Sequence, residues 1–180
     1  MTDTLLQIFL DAVLETFRGQ KSMGERALAQ LSTQQLHETP TYDANSPAVI
    51  VKHMYGNMRS RWTDFLTSDG EKPDRNRDDE FVDDDADKAE VLRRWNNGWS
   101  IVLSTIEALT PDDLERTIMI RGQPHSVPRA ILRQIDHYGY HTGQIVLLCK
   151  HIVGEGWQTL SVPRAGTAAF NASLGYDPKA

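Results

Sequence analysis

At 180 residues the chain has the length of one ordinary domain and can bury a core without cross-links. Its single cysteine, Cys149, excludes an intramolecular disulfide and points to a reducing, cytoplasmic setting. Nineteen basic against 25 acidic residues, a formal net charge of -6, argue against general nucleic-acid binding, and no apolar run reaches the ~18 residues of a membrane span. The first twenty residues carry Asp3, Asp11 and Glu15, unlike the basic start and unbroken apolar middle of a signal peptide.

Four segments read as long helices. The first runs from about Thr4 to Leu31, with Asp3 able to cap it and Leu5, Ile8, Phe9, Ala12, Val13 and Phe17 on one face. Gln34-Gln35-Leu36 suggests a short turn, and Pro40, Asn45 and Pro47 mark a loop. The second helix is expected from Ser46, its N-cap, to about Thr67, with Pro47 suiting the first helical position. Val49, Ile50, Met54, Met58, Trp62 and Phe65 form its apolar stripe. Gly56 inside it costs about 1 kcal/mol against alanine. A charged loop follows, SDGEKPDRNRDDEFVDD.

A third helix starts near Asp85 or Asp87 and ends near Leu109, its acidic entry complementing the helix dipole. Thr110-Pro111-Asp112-Asp113 signals one more short helix. Within RTIMIRGQPHSV, Ile118 and Ile120 alternate with polar neighbours before Gly122-Gln123-Pro124, which predicts a small β-hairpin. The fourth helix spans about Val127 to Val153 and stops at Gly154. Residues 154–180 lack periodicity and are expected to form a tail packed on the bundle. The pattern as a whole predicts a single all-α domain over residues 1–180, a four-helix bundle with a hairpin before the last long helix.

The chemistry concentrates on the fourth helix. Gln134, His137, His141 and Gln144 are spaced by three, four and three and so share one face, beside an apolar stripe of Ile131, Ile135, Tyr138, Ile145 and Ile152. Buried polar groups need partners. His137 and His141 form H-x-x-x-H, ~5–6 Å apart at Cβ, which lets both imidazoles reach one ion. Tyr138 stands where a zincin needs its glutamate, so this is not that motif. His53, one turn from Val49 and Asn57, is the candidate third ligand, and three neutral imidazoles leave positions open for water or substrate. The same spacing also suits three hydrogen-bonded core histidines. Imidazole ligation implies an affinity that falls as pH drops through about 6. His37, His125 and His151 carry weaker signals, two in loop-like segments and one on a final helical turn.

Arg59, Arg61, Lys72, Arg75 and Arg77 gather near the end of the second helix. Guanidiniums suit carboxylates and phosphates, so Arg59 and Arg61 are candidates to bind an anionic cofactor. Ion pairing with Asp64, Asp69, Glu71 and Asp74 is the alternative. The acidic run from Asp78 to Asp87 lacks the glycine of an EF-hand and reads as a solvated loop and helix cap. Cys149, on the apolar stripe, reads as buried and inert.

The segments VKHMYGNMRSRWTDFLTSDGEKP, IRGQPHSV, HYGYHTGQIV and SVPRAGTAAFN, in that order, resemble the DUF1572 group of the DinB-like superfamily over nearly the whole chain. The resemblance implies a bundle of DinB/YfiT-like type, often a homodimer, with one metal-binding histidine on the second helix and an H-x-x-x-H pair on the last. Those roles fall on His53, His137 and His141, and the ion implied is zinc, nickel or a similar divalent metal. The superfamily includes transferases that use low-molecular-weight thiols, and maleylpyruvate isomerases. By that analogy the chain is expected to bind a divalent metal and to act as a thiol S-transferase on a small molecule. The alternatives are a non-catalytic metal or ligand carrier of a stress response, and a dimeric bundle with structural histidines.

Overall fold

The computed structural model describes residues 2–177. Four long helices carry the fold: α1 (Thr2–Leu28), α2 (Pro47–Trp62), α3 (Lys88–Ala108) and α4 (Val127–Val153). Helices α1 and α2 each pack against both α3 and α4, so the four close a ring in the order α1, α3, α2, α4 around one core. The architecture is all-α with one two-stranded antiparallel hairpin, β1 (Thr117–Ile120) and β2 (Gln123–Ser126), just before α4.

Helix boundaries follow local chemistry. Ser46 caps α2 by accepting from the Val49 N–H, Asp87 caps α3 through Glu90 N–H, and Ser126 caps α4 through Arg129 N–H. The expected capping role of Asp3 rests on a side chain outside the described residues. Helix α1 ends at Leu28 rather than Leu31, although Leu31 is itself buried, because the chain turns there while keeping the same apolar contacts. Helix α2 ends at Trp62, five residues short of Thr67. Thr63 is extended and Asp64 lies at φ 50°, a left-handed position that ends the helix while Phe65 still reaches the core. Helix α4 has the expected limits, with Gly154 at φ 62° as its C-cap.

The hairpin turn is Arg121-Gly122, both at positive φ (55° and 69°), as a two-residue turn between twisted strands requires. Asp69 holds it by accepting from both turn N–H groups, at 2.8 and 2.7 Å. Of the tail, Trp157 and Leu160 pack against the core, and Gln158 exchanges two hydrogen bonds with Gln30. A short helix α5 (Thr167–Ser173), unpredicted, follows on the surface.

The centre of the bundle is aromatic. Phe17 sits 5.8–6.0 Å from the rings of Trp62, Trp99 and Tyr138, and Trp95 packs edge-on against Trp99. Tyr138 ends this cluster. Its hydroxyl accepts from Trp62 Nε1 and donates to Asn57 Oδ1, which joins the aromatic core to a polar stripe on α2. No helix among the described residues is long and apolar enough to cross a membrane.

Candidate metal centre

Helix α2 presents His53, Asn57 and Arg61 at four-residue intervals, a polar row beside the apolar row of Met54, Met58 and Trp62. Helix α4 presents Gln134, His137 and His141 beside Ile131, Tyr138 and Ile145. The packing of α2 on α4 brings the two polar rows together. His137 Nε2 lies 3.1 Å from His141 Nε2 and 3.4 Å from His53 Nε2. His53 and His141 are buried and His137 is half-buried.

Hydrogen bonds fix which nitrogens face inward. His53 Nδ1–H donates to Glu80 Oε2 at 2.9 Å, and His141 Nδ1–H donates to Gln144 Oε1 at 2.8 Å. Neutral imidazoles with those protons have bare Nε2 lone pairs, both directed at His137 Nε2. One proton on His137 Nε2 can serve only one of these lone pairs, whereas a cation between the rings serves all three. Two nitrogens each ~2.0–2.1 Å from one ion stand about 2.9–3.4 Å apart at octahedral to tetrahedral angles, which matches both spacings. The three side chains therefore fit one divalent ion. Burial first, then the neighbouring imidazoles, pushes His137 down to about 3. Burial likewise pushes His141 down to about 4, against the pull of Gln144. Both stay in the ligating, neutral form far below pH 6.

Behind the histidines lies a layer of buried charge. Arg75 grips Glu80 with two bonds, at 2.7 and 2.8 Å, and reaches Glu71 at 3.3 Å. Arg61 pairs with Glu71 at 2.9 Å and also donates to the Gly70 carbonyl. Burial alone would raise the Glu80 carboxyl, but the Arg75 guanidinium and then His53 hold it below the usual carboxylate range. Phe81 stacks on the His53 ring with centroids 4.5 Å apart.

Glu80 corrects the reading of residues 78–87 as wholly solvated. It is 6% exposed and orients the His53 ring, while Asp78, Asp79 and Asp85 around it face solvent. Gly56 was its signal in the sequence. A Cβ there would sit 2.2 Å from Glu80 Oε1, so the mid-helix glycine is the space that the carboxylate occupies.

Two hollows border this layer, and Arg75 lines both. One, of about 320 Å³, is walled by His53, His137, Arg61, Arg77, Arg121 and Arg133, among others. The other, of about 530 Å³, lies against α2 and includes Lys52, Tyr55 and Arg59. Arg61 thus lines the cavity that the histidines line, with its guanidinium already engaged by Glu71. Arg59 lines the other and makes an exposed pair with Asp74 at 2.8 Å. A second acid-and-histidine group, His37 with Asp83 and Asp85, is of another kind. His37 donates through Nδ1 to Asp83 and through Nε2 to the Ala86 carbonyl, so both its nitrogens are spent on holding the loop. Cys149 is buried, and burial pushes its thiol up to about 12, as an inert cysteine requires.

The family model of DUF1572, described as a protein of unknown function, matches residues 5–166. The chain belongs to the DUF1572 family. The match takes in α1 from its fourth residue, the other three long helices, the hairpin and each of the three histidines. No curated protein matches the chain.

Proposed function

We propose that this DUF1572 chain is a metal-dependent transferase that uses a low-molecular-weight thiol, with zinc or nickel held by His53, His137 and His141. One observation carries the reading: three Nε2 atoms converge at 3.1 and 3.4 Å, two of them left bare because Glu80 and Gln144 hold the ring proton on Nδ1. A bound divalent ion supplies acidification of a coordinated thiol or water near neutral pH. The chain's own residues do the rest. Glu80 and Gln144 fix ring orientation, Arg75 keeps Glu80 ionised, and Phe81 shields the His53 ring from water. The cavity beside His53 and His137 admits the reactants, with Asp136 and Tyr140 on its wall as groups able to move a proton. The resemblance to the DinB-like superfamily supports thiol chemistry by analogy.

The test is turnover of an electrophile with a panel of small thiols, on protein stripped and then reloaded with zinc or nickel. The expected result is thiol-dependent loss of the electrophile that needs metal and disappears in His53→Ala. No rate above the metal-free protein across the panel contradicts the enzyme and leaves a metal carrier. We also take the chain to act as a homodimer in the cytoplasm. The exposed Leu5 and Ile8 of α1 and Leu132 and Leu147 of α4, two helices that pack together, support the pairing.

A further inference from the structure

The chain is acidic overall, at -6, yet the cavity beside the histidines is walled by Arg61, Arg75, Arg77, Arg121 and Arg133 against one acid, Asp136. Guanidiniums stay protonated, so like charges gathered around a hollow repel unless anions sit among them. Glu71 supplies one, at 2.9 Å from Arg61, 3.3 Å from Arg75 and 3.0 Å from Arg121, and Glu80 supplies another to Arg75. These two carboxylates lie behind the wall and engage three of the five arginines. The side chains of Arg77 and Arg133 make no ion pair or hydrogen bond among the described residues. The Arg77 guanidinium lies over the Phe81 ring, 5.0 Å from its centroid.

Two further atoms on the same wall want a partner. Arg61 Nε is a buried donor without an acceptor, in a residue 5% exposed. Gln134 Oε1 is a buried acceptor without a donor, in a residue 4% exposed. Buried polar atoms of this kind are rare, and an ordered water or ion is among their usual partners. A volume of about 320 Å³ is at the small end of ligand sites, the size of a metabolite rather than of a peptide chain.

We propose that this cavity binds a small dianion, a molecule with two carboxylates or a phosphate group, through Arg77 and Arg133, and orients it toward the three histidines. The orientation rests on the metal reading above. The anion site itself does not. Arg77 and Arg133 supply the free forks, one from the loop before α3 and one from α4, so the ligand bridges the two elements that also carry Glu80 and His137. Arg61 and Gln134 complete the floor.

Calorimetric titration of the full chain with succinate, inorganic phosphate and neutral butanediamide tests this. Metal-free protein receives all three, and zinc-loaded protein receives succinate and butanediamide. The expected result is binding of succinate or phosphate in the metal-free protein and none of butanediamide. Arg77→Gln and Arg133→Gln should each weaken the anion about tenfold or more, the loss of one charge-assisted contact. Arg77→Lys and Arg133→Lys should fall between, keeping charge without the fork. Arg129→Gln, on α4 but outside the cavity wall, should match the parent. Both target arginines are exposed, so the variants should keep the parent's circular dichroism. Zinc titration of the same proteins separates the two readings. Parental zinc affinity with lost anion binding supports the proposal. Arginine-dependent anion binding in a chain that takes up no zinc upholds the anion site and overturns its orientation toward a metal. Absence of binding by either anion at millimolar concentration, or binding indifferent to both Gln variants, overturns the proposal.

Discussion

Helices α2 and α4 each carry two buried rows that obey different rules. One row, with Met58, Trp62, Tyr138 and Ile145, packs into the aromatic centre around Phe17. The other, with His53, Asn57, His137 and His141, meets in a polar pocket backed by Glu80, Arg75 and Glu71. The polar row is somewhat less buried, with His137 half-buried. What also differs is specificity of contact. The apolar side is held by close packing and burial of area, which tolerates swaps that keep volume. The polar side is held by complementary pairs, where losing one partner leaves a buried charge facing nothing. A protein can therefore vary its aromatic centre and keep its fold, while the pocket depends on each member being present.

The sharpest way to break this contrast is a pair of truncations. Glu80→Ala leaves Arg75 with only its 3.3 Å pair to Glu71 and should lose about 3–5 kcal/mol in urea unfolding. The same change frees the His53 ring and should weaken zinc about 10–100-fold by competition titration. Trp99→Ala should lose a similar 3–5 kcal/mol by opening a cavity, with zinc affinity near the parent's. If both changes moved zinc equally, the two rows would not be separate devices.

Gly56 gives the next largest effect, with the opposite sign to helix propensity. Gly56→Ala gains about 1 kcal/mol as a helix former. Its methyl would nevertheless meet the Glu80 carboxylate at 2.2 Å, so the variant should lose about 1–3 kcal/mol net. In a Glu80→Ala background the same change should become neutral or stabilising, and a double-mutant cycle reads the difference.

The effect of pH is intermediate. His137 and His141 are held at about 3 and about 4 in the fold, against about 6.5 for a free imidazole. Below pH ~6.5 the unfolded chain takes up protons at these sites that the folded chain does not, so metal-free stability falls as pH drops from about 6.5 toward 4. His137→Gln should flatten that slope in urea titrations at stepped pH, and Trp99→Ala should not. For metal binding, the part of the pH dependence carried by these two ligands lies near 4 and 3, lower than the free-imidazole value suggests. The smallest change is on the surface. Leu147→Glu should shift the proposed dimer to monomer by light scattering while moving monomer stability by less than about 0.5 kcal/mol.

These two rows were not equally legible in the sequence. Helix α4 shows its seam openly, because His137 and His141 keep helical spacing next to an apolar stripe with regular period. His53 could be placed by its neighbours Val49 and Asn57. The hairpin was marked by Gly122 and Pro124. The layer behind the histidines was not readable, since it comes from an irregular loop where no period tells a buried acid from a solvated one. Glu80 sits in a run of acids of which it is the buried member, and only the costly Gly56, on another element, points to it. Arg61 carried both of its readings in the sequence, and the Glu71 pair became visible only once the loop was folded back on α2. The end of α2 was overshot because Phe65 continues the apolar stripe by three-dimensional contact after the backbone has left the helix. Helix α5 had no apolar period to announce it.

X-ray absorption at the zinc edge, on protein loaded in solution without a nickel column, reads the centre itself. Three imidazole nitrogens at ~2.0–2.1 Å are expected, falling to two in His53→Ala and in His137→Ala. A shell made only of oxygen, or one that neither substitution alters, would mean that zinc sits elsewhere and that the three rings do not share it.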